Sequence, residues 1–152
     1  LLIIANTDGI LKLLICDKYG KIRGGGCGID CRKDGLAMTV EDVRAALGAR
    51  VLVGEEHLDR EVRTACGSDM MSDVLAFSKD HGVLLTGLVN PQVVRTAEML
   101  DIVCIIFIRG KKADEKLLQM ARERDLVILE TGHRMFTACG LLYEAGLRGG
   151  AI

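Results

Sequence analysis

Apolar and polar residues form alternating blocks along most of the chain, and each block has the length of one secondary-structure element. The continuous apolar runs at 82–86, 102–108 and 126–130 are typical of strands in a parallel sheet that is buried on both faces. The segments between them, 90–101 and 114–125, place their apolar residues at helical spacing. The pattern therefore predicts that strands and helices alternate along the chain.

The segment before these runs continues the same alternation. The sequence MTVEDVRAALG predicts a helix in which Thr39 is the N-cap, Asp42 completes a capping box and Gly48 ends the helix. The remaining predicted elements are strands at 50–54 and 62–66 and helices at 70–80 and 134–146. We therefore predict an α/β fold, a three-layer α/β/α sandwich with a mostly parallel sheet of about five strands.

Two other helix starts carry capping signals. Asn90 precedes Pro91, a residue that fits the first turn of a helix because its missing N–H is not needed there. In the stretch CGSDMMSD, Ser68 or Asp69 is predicted to cap the helix at 70–80, since short polar side chains favour this position. Paired carboxylates that share a metal are the less favoured interpretation of Asp69 and Asp73.

The first 37 residues do not follow this alternation, and we treat 1–37 as a doubtful N-terminal extension ahead of the α/β domain at 38–152. Cys27 and Cys31 have a spacing found among zinc ligands, but a structural site needs four ligands and the histidines lie elsewhere, so no metal is predicted. Two interpretations stay open. The extension is either a real hairpin or a translated leader ahead of Met38.

Composition limits the classes of partner. The formal net charge of −1 lacks the basic excess of most nucleic-acid-binding domains. No apolar run approaches the ~20 residues that span a bilayer. Neither a dinucleotide fingerprint nor a P-loop is present, so no cofactor is predicted. We expect a cytoplasmic protein with no nucleic acid or membrane as partner.

The most specific candidate site lies where the predicted parallel strands end. Ligands of open α/β sheets bind beyond the carboxyl ends of the strands, where helix N-termini, close backbone approach and cationic side chains favour anions. Ordinary turn chemistry explains the same residue types and stays open as the alternative. The predicted ligand-binding residues are Thr86, Gly87, Asn90, Arg109, Gly110, Lys111, Thr131 and Gly132.

No catalytic set is apparent in the sequence. A G-x-S-x-G motif is missing and no cysteine shows a paired histidine, so no catalytic residue is assigned. His133 follows a strand without any partner that the sequence reveals. We therefore expect a protein that is not an enzyme.

Five segments resemble the DRTGG domain family, in the order that the family has them. The resemblance runs from Thr39 onward, and the segments that carry it lie between residues 58 and 147. The segments are LDREV (58–62), GSDMMSDVL (67–75), LLTGLVNPQVVRTAEMLDI (84–102), IFIRGKKADEKLLQMARERDLVIL (106–129) and FTACGLLYEAGL (136–147).

The resemblance implies a regulatory or assembly module. Domains of this family resemble the N-terminal domain of HPr kinase/phosphorylases, and others are attached to phosphotransacetylases and CBS-containing pyrophosphatases. Small stand-alone members are encoded near iron-only hydrogenases. We expect a non-catalytic domain that forms a homodimer, binds an anionic ligand such as a nucleotide and serves a partner enzyme. The alternative is a redox accessory protein of an iron–sulfur hydrogenase system, with Cys66 or Cys139 as its working thiol.

Overall fold

The computed structural model describes residues 38–78 and 81–149, and the N-terminal extension 1–37 lies outside these residues. The described part of the chain contains seven strands. They are β1 (Met38–Thr39), β2 (Arg50–Val53), β3 (Glu61–Val62), β4 (Thr64–Gly67), β5 (Gly82–Thr86), β6 (Cys104–Phe107) and β7 (Val127–Glu130).

Five of the strands form the central sheet, in the order β2-β7-β6-β5-β4. The four strands from β4 to β7 are parallel to their neighbours, while β2 pairs with β7 in the antiparallel direction. The predicted α/β fold with a mostly parallel five-stranded sheet is therefore confirmed. Strands β1 and β3 form a separate antiparallel pair of two residues each.

Five α-helices accompany the strands in the described residues. They are α1 (Val40–Leu47), α2 (Met71–Phe77), α3 (Pro91–Met99), α4 (Glu115–Arg122) and α5 (Met135–Glu144). Thr39 caps α1 through a complete capping box with Asp42, and Gly48 ends that helix in the left-handed conformation. The Asn90 side chain caps α3, with Pro91 in its first turn. These four cap assignments agree with the sequence predictions.

Two apolar clusters separate the helices into layers. One cluster packs α1 and α5 against one face of the sheet and includes Val43, Ile106 and Leu142. The other packs α2, α3 and α4 against the opposite face and includes Val94 and Phe107. Successive residues of β6 alternate between the two clusters, which explains why the sequence shows a continuous apolar run rather than a polar alternation.

The segment between β2 and β4 has more regular structure than the one strand predicted at 62–66. It contains a 3₁₀ turn at Glu55–His57 and the short strand β3. The predicted strand at 62–66 is shifted, because β4 begins at Thr64. Among the described residues, no helix is both long enough and apolar enough to cross a membrane.

Candidate functional site

The parallel strands place four chain segments at one edge of the central sheet, which we name the carboxyl edge. Asp69 follows β4, Gly87 follows β5, Arg109 follows β6 and Gly132 follows β7. Because β4, β5, β6 and β7 are neighbours in the sheet, these segments are also neighbours along the edge. Such an edge is where open α/β sheets bind their ligands.

Asp69 lies at the centre of the polar contacts at this edge. Its Oδ1 atom accepts a hydrogen bond of 2.6 Å from the backbone N–H of Gly87 and one of 3.0 Å from the hydroxyl of Thr86. Its Oδ2 atom accepts a hydrogen bond of 3.2 Å from Nη2 of Arg109. We name the three donors, on Thr86, Gly87 and Arg109, the donor cluster.

The position of Asp69 corrects its predicted role as a helix cap. Met70 occupies the N-cap position of α2 and no side chain caps that helix. The hydroxyl of Ser68 accepts a hydrogen bond of 3.0 Å from the Met70 N–H, which forms a local turn. Asp69 is therefore a residue of the candidate site that sequence reasoning missed, since a capping carboxylate and a tertiary one look alike in sequence.

The absence of a side chain at Gly87 lets Arg109 reach Asp69. A Cβ atom at position 87 would lie 1.7 Å from Nη2 of Arg109 and 2.7 Å from its Cζ atom. The guanidinium therefore lies directly over the backbone of Gly87. Glycine is required here for this close approach rather than for an unusual backbone conformation, because its φ angle is not in the left-handed region.

The backbone of the loop after β6 is fixed by the loop after β7. Arg109 and Gly110 both have left-handed φ angles, of 64° and 62°. The Arg109 N–H donates to the His133 carbonyl and the Gly110 N–H donates to the Thr131 carbonyl, each at 2.9 Å. A non-glycine residue in this conformation is uncommon, and these two bonds hold Arg109 in it.

Three of the predicted ligand-binding residues use their side chains within the protein. The Thr86 hydroxyl is fully buried and also accepts from the Leu88 N–H at 3.1 Å. The Asn90 side chain accepts from the Val93 N–H as a helix cap. The buried Thr131 hydroxyl donates to the Leu47 carbonyl at 3.3 Å. These contacts are the turn and cap chemistry that stood as the alternative interpretation.

The remaining predicted residues are more accessible. Lys111, after β6, and Gly132, after β7, are exposed. Lys112, the neighbour of Lys111, is exposed as well. Helix α5, which follows Gly132, has Arg134 at its N-cap position and no side-chain cap. Asp114 caps α4 by accepting a hydrogen bond of 2.8 Å from the Leu117 N–H. Of α3, α4 and α5, the helices that follow β5, β6 and β7, only α5 has first N–H groups without a side-chain cap.

The charge of Asp69 is stabilised by its surroundings. Partial burial raises the pKa of its carboxyl group, but the Gly87 and Thr86 hydrogen bonds and the positive charges of Arg109 and Lys111 together lower the pKa below its ordinary value. The carboxylate is therefore ionised at neutral pH. The Asp69 and Arg109 side chains are 52% and 46% exposed, so the edge is open to solvent rather than enclosed.

The two cysteines proposed for the redox alternative pack against different apolar clusters. Cys66 packs beside the cluster of α2, α3 and α4, and Cys139 packs beside the cluster of α1 and α5. Burial, with a smaller effect of Cys66, raises the pKa of the Cys139 thiol, which disfavours the reactive thiolate. Burial also raises the pKa of the Cys104 thiol. These surroundings give the redox alternative little support.

Residues 38–78 and 81–149 contain no group of three or more His, Cys, Asp or Glu side chains that could hold a metal ion. Several acidic side chains of the described residues instead pair with nearby cations. Glu130 pairs with Arg50 at 2.7 Å, and Glu98 pairs with Arg124 at 2.7 Å.

Comparison with solved structures finds chains of similar fold. The chain is similar to the crystal structure of the CBS and DRTGG domains of the regulatory region of Clostridium perfringens pyrophosphatase, in complex with the activator diadenosine tetraphosphate. The TM-score is 0.60 at 15% identity, and the match covers 75% of this chain and 51% of the pyrophosphatase chain. At this identity the likeness shows the fold alone. No protein-family model matches the chain, and no curated protein matches it.

Proposed function

We propose that this protein is a non-catalytic regulatory or assembly domain that binds an anionic small molecule, such as a nucleotide, at the carboxyl edge. The observation that carries the proposal is the guanidinium of Arg109, which lies over Gly87 beside two further donors. The similar pyrophosphatase structure is a regulatory region in complex with a nucleotide activator. We infer that its DRTGG part is the part that this chain matches.

The charges at the edge favour an anion that carries more than one negative charge. Asp69 offsets the charge of Arg109, but Lys111 and Lys112 are exposed on the same loop. The start of α5 adds uncapped backbone N–H groups next to Gly132. A phosphate chain carries several negative charges, so it suits cations and N–H groups spread along the edge better than a single carboxylate does.

The openness of the edge sets the expected strength of binding. Exposed charge pairs contribute little individually, and salt screens them over a Debye length of about 8 Å at physiological ionic strength. We therefore expect weak, salt-sensitive binding unless a second surface covers the ligand. A domain attached to a partner enzyme, or paired with a second copy of itself, would supply such a surface.

Calorimetric titration with ATP and diadenosine tetraphosphate at low salt tests the proposal. The informative variant is Arg109→Asn with Lys111→Gln, because asparagine tolerates the left-handed backbone that Arg109 adopts. The matched control is Arg122→Gln, which removes a cation paired with Glu115 at 2.6 Å in the last turn of α4. The proposal requires binding in wild type and the control and its loss in the double variant. Equal binding in all three contradicts it.

Self-association is the second part of the proposed role. Met70 and Tyr143 are each 60% exposed, whereas Met71, Leu142 and Leu147 are buried, so only some of the apolar side chains in these two segments are accessible. Phe136 is 92% exposed and lies on α5 with Tyr143. An exposed aromatic pair on one helix favours a protein interface, and we propose that it contributes to a homodimer.

A further inference from the structure

The donor cluster is arranged as an anion-binding site that already holds an anion. Each of its three donors is directed at one carboxylate, Asp69, at distances of 2.6, 3.0 and 3.2 Å. A phosphate group offers the same kind of acceptor oxygen and more negative charge. A carboxylate bound by a backbone N–H, a hydroxyl and an arginine therefore has the contacts that a phosphate oxygen would have.

We propose that Asp69 is an intramolecular competitor for this site, and that a bound phosphate replaces its carboxylate on the donor cluster. This inference rests on the proposed function, since it concerns the same edge of the sheet. It adds a regulatory consequence. Ligand binding would release the segment between β4 and α2 from its contacts with Gly87 and Arg109, and so report occupancy to α2.

The exposure of Asp69 makes the exchange feasible. Its side chain is half exposed, so water can solvate the carboxylate as soon as it leaves the donor cluster. The Thr86 hydroxyl is fully buried and cannot turn to solvent in the same way, so it needs an acceptor at this position. A phosphate oxygen would supply that acceptor, and the donors would remain satisfied throughout the exchange.

The alternative role of Asp69 is to contact the ligand itself, for example by accepting a hydrogen bond from a ribose hydroxyl. The two roles predict opposite effects of removing its charge. If Asp69 competes with the ligand, the neutral variant binds anions more tightly. If Asp69 contacts the ligand, the neutral variant binds them more weakly.

The test compares Asp69→Asn with wild type in titrations with inorganic pyrophosphate and with ATP. Asparagine keeps an oxygen for the Thr86 and Gly87 donors but loses the charge opposite Arg109. Like charges about 4 Å apart in water repel by an amount that corresponds to about fivefold in affinity, so we expect binding about fivefold tighter. The control is Asp59→Asn, which removes an exposed carboxylate from the turn before β3, at the other end of the strands.

Each outcome separates this inference from the proposed function. Binding that is tighter in Asp69→Asn than in wild type, with Asp59→Asn unchanged, supports the inference. Weaker or equal binding in Asp69→Asn overturns the inference and leaves the proposed function in place. No binding by wild type or by either variant overturns both.

A measurement on the wild-type protein covers the case in which the variant folds poorly. The pKa of the Asp69 carboxyl group can be followed by carbon-13 NMR with and without saturating pyrophosphate. Displacement from the donor cluster and the nearby anion should both raise that pKa. An unchanged pKa at saturation would show that the carboxylate stays in place, which overturns the inference.

Discussion

The carboxylate of Asp69 accepts a 2.6 Å hydrogen bond from the backbone N–H of Gly87, although 18 residues separate the two along the chain. This bond joins the loop after β4 to the loop after β5, at the edge where the sheet is expected to bind its ligand. The same carboxylate then pairs with Arg109 from the next loop. One acidic side chain thus organises three neighbouring segments of the candidate site.

Removing the acceptor at position 69 should destabilise the fold. Asp69→Ala leaves the buried Thr86 hydroxyl without its acceptor, which we expect to cost about 1–3 kcal/mol in free energy of unfolding. Asp69→Asn keeps an acceptor oxygen and should cost less. Urea denaturation of both variants measures the difference. Equal losses in the two variants would show that the hydrogen bond to Thr86 contributes little.

The lowered pKa of Asp69 predicts how its contribution to stability depends on pH. Because the folded state binds this proton less readily than the unfolded state, the contribution is present above the unfolded pKa of about 4 and is lost as the pH falls through the folded pKa. The difference in unfolding free energy between wild type and Asp69→Asn should be constant from pH 6 to 8. It should shrink in more acidic solution. A difference that grows on acidification would contradict the assignment.

Gly87→Ala should displace the Arg109 side chain. The new Cβ atom would lie within 1.7 Å of Nη2, and the end of a flexible side chain can move away. We expect the pKa of the Asp69 carboxyl group, measured by carbon-13 NMR, to rise towards its ordinary value, with a loss of about 1 kcal/mol or less from an exposed ion pair. Gly140→Ala is the control, since nothing lies within 4 Å of a Cβ there. A pKa that does not move in Gly87→Ala would refute the described position of the guanidinium.

Self-association predicts a specific effect at α5. Wild type should sediment as a dimer at tens of micromolar, and Phe136→Ser should sediment as a monomer with unchanged secondary structure, because the replaced side chain is exposed. Met99→Ser is the matched control on α3, where the methionine is 73% exposed. A monomeric wild type, or a dimer that survives Phe136→Ser but not Met99→Ser, would exclude the interface proposed here.

Much of the fold could be predicted because its signals are local. These signals depend only on residues that are close in sequence. They are the apolar runs of β5, β6 and β7, the capping box at Thr39 and the sequence Asn90-Pro91 at the start of α3. The direction of β2 could not be predicted in this way. Its residues pair antiparallel with those of β7, and no short-range pattern at 50–53 distinguishes that pairing from a parallel one.

The candidate site was predictable only as a region. The position of Arg109 and Gly110 after β6 indicated the carboxyl edge, and the structure places both there. The partner of Arg109 could not be found in the same way, because Asp69 sits in a stretch whose Ser and Asp residues are equally suited to capping. Which of these roles a carboxylate takes is decided by the tertiary contacts of the folded chain.

Binding of an anionic ligand at the carboxyl edge can be located by following backbone amide shifts in the NMR spectrum during a titration with ATP at low salt. We expect saturable shifts concentrated at Asp69, at Gly87, at 109–111 and at 132–134. Shifts that do not saturate, or that concentrate on the outer face of α4 instead, would contradict this expectation.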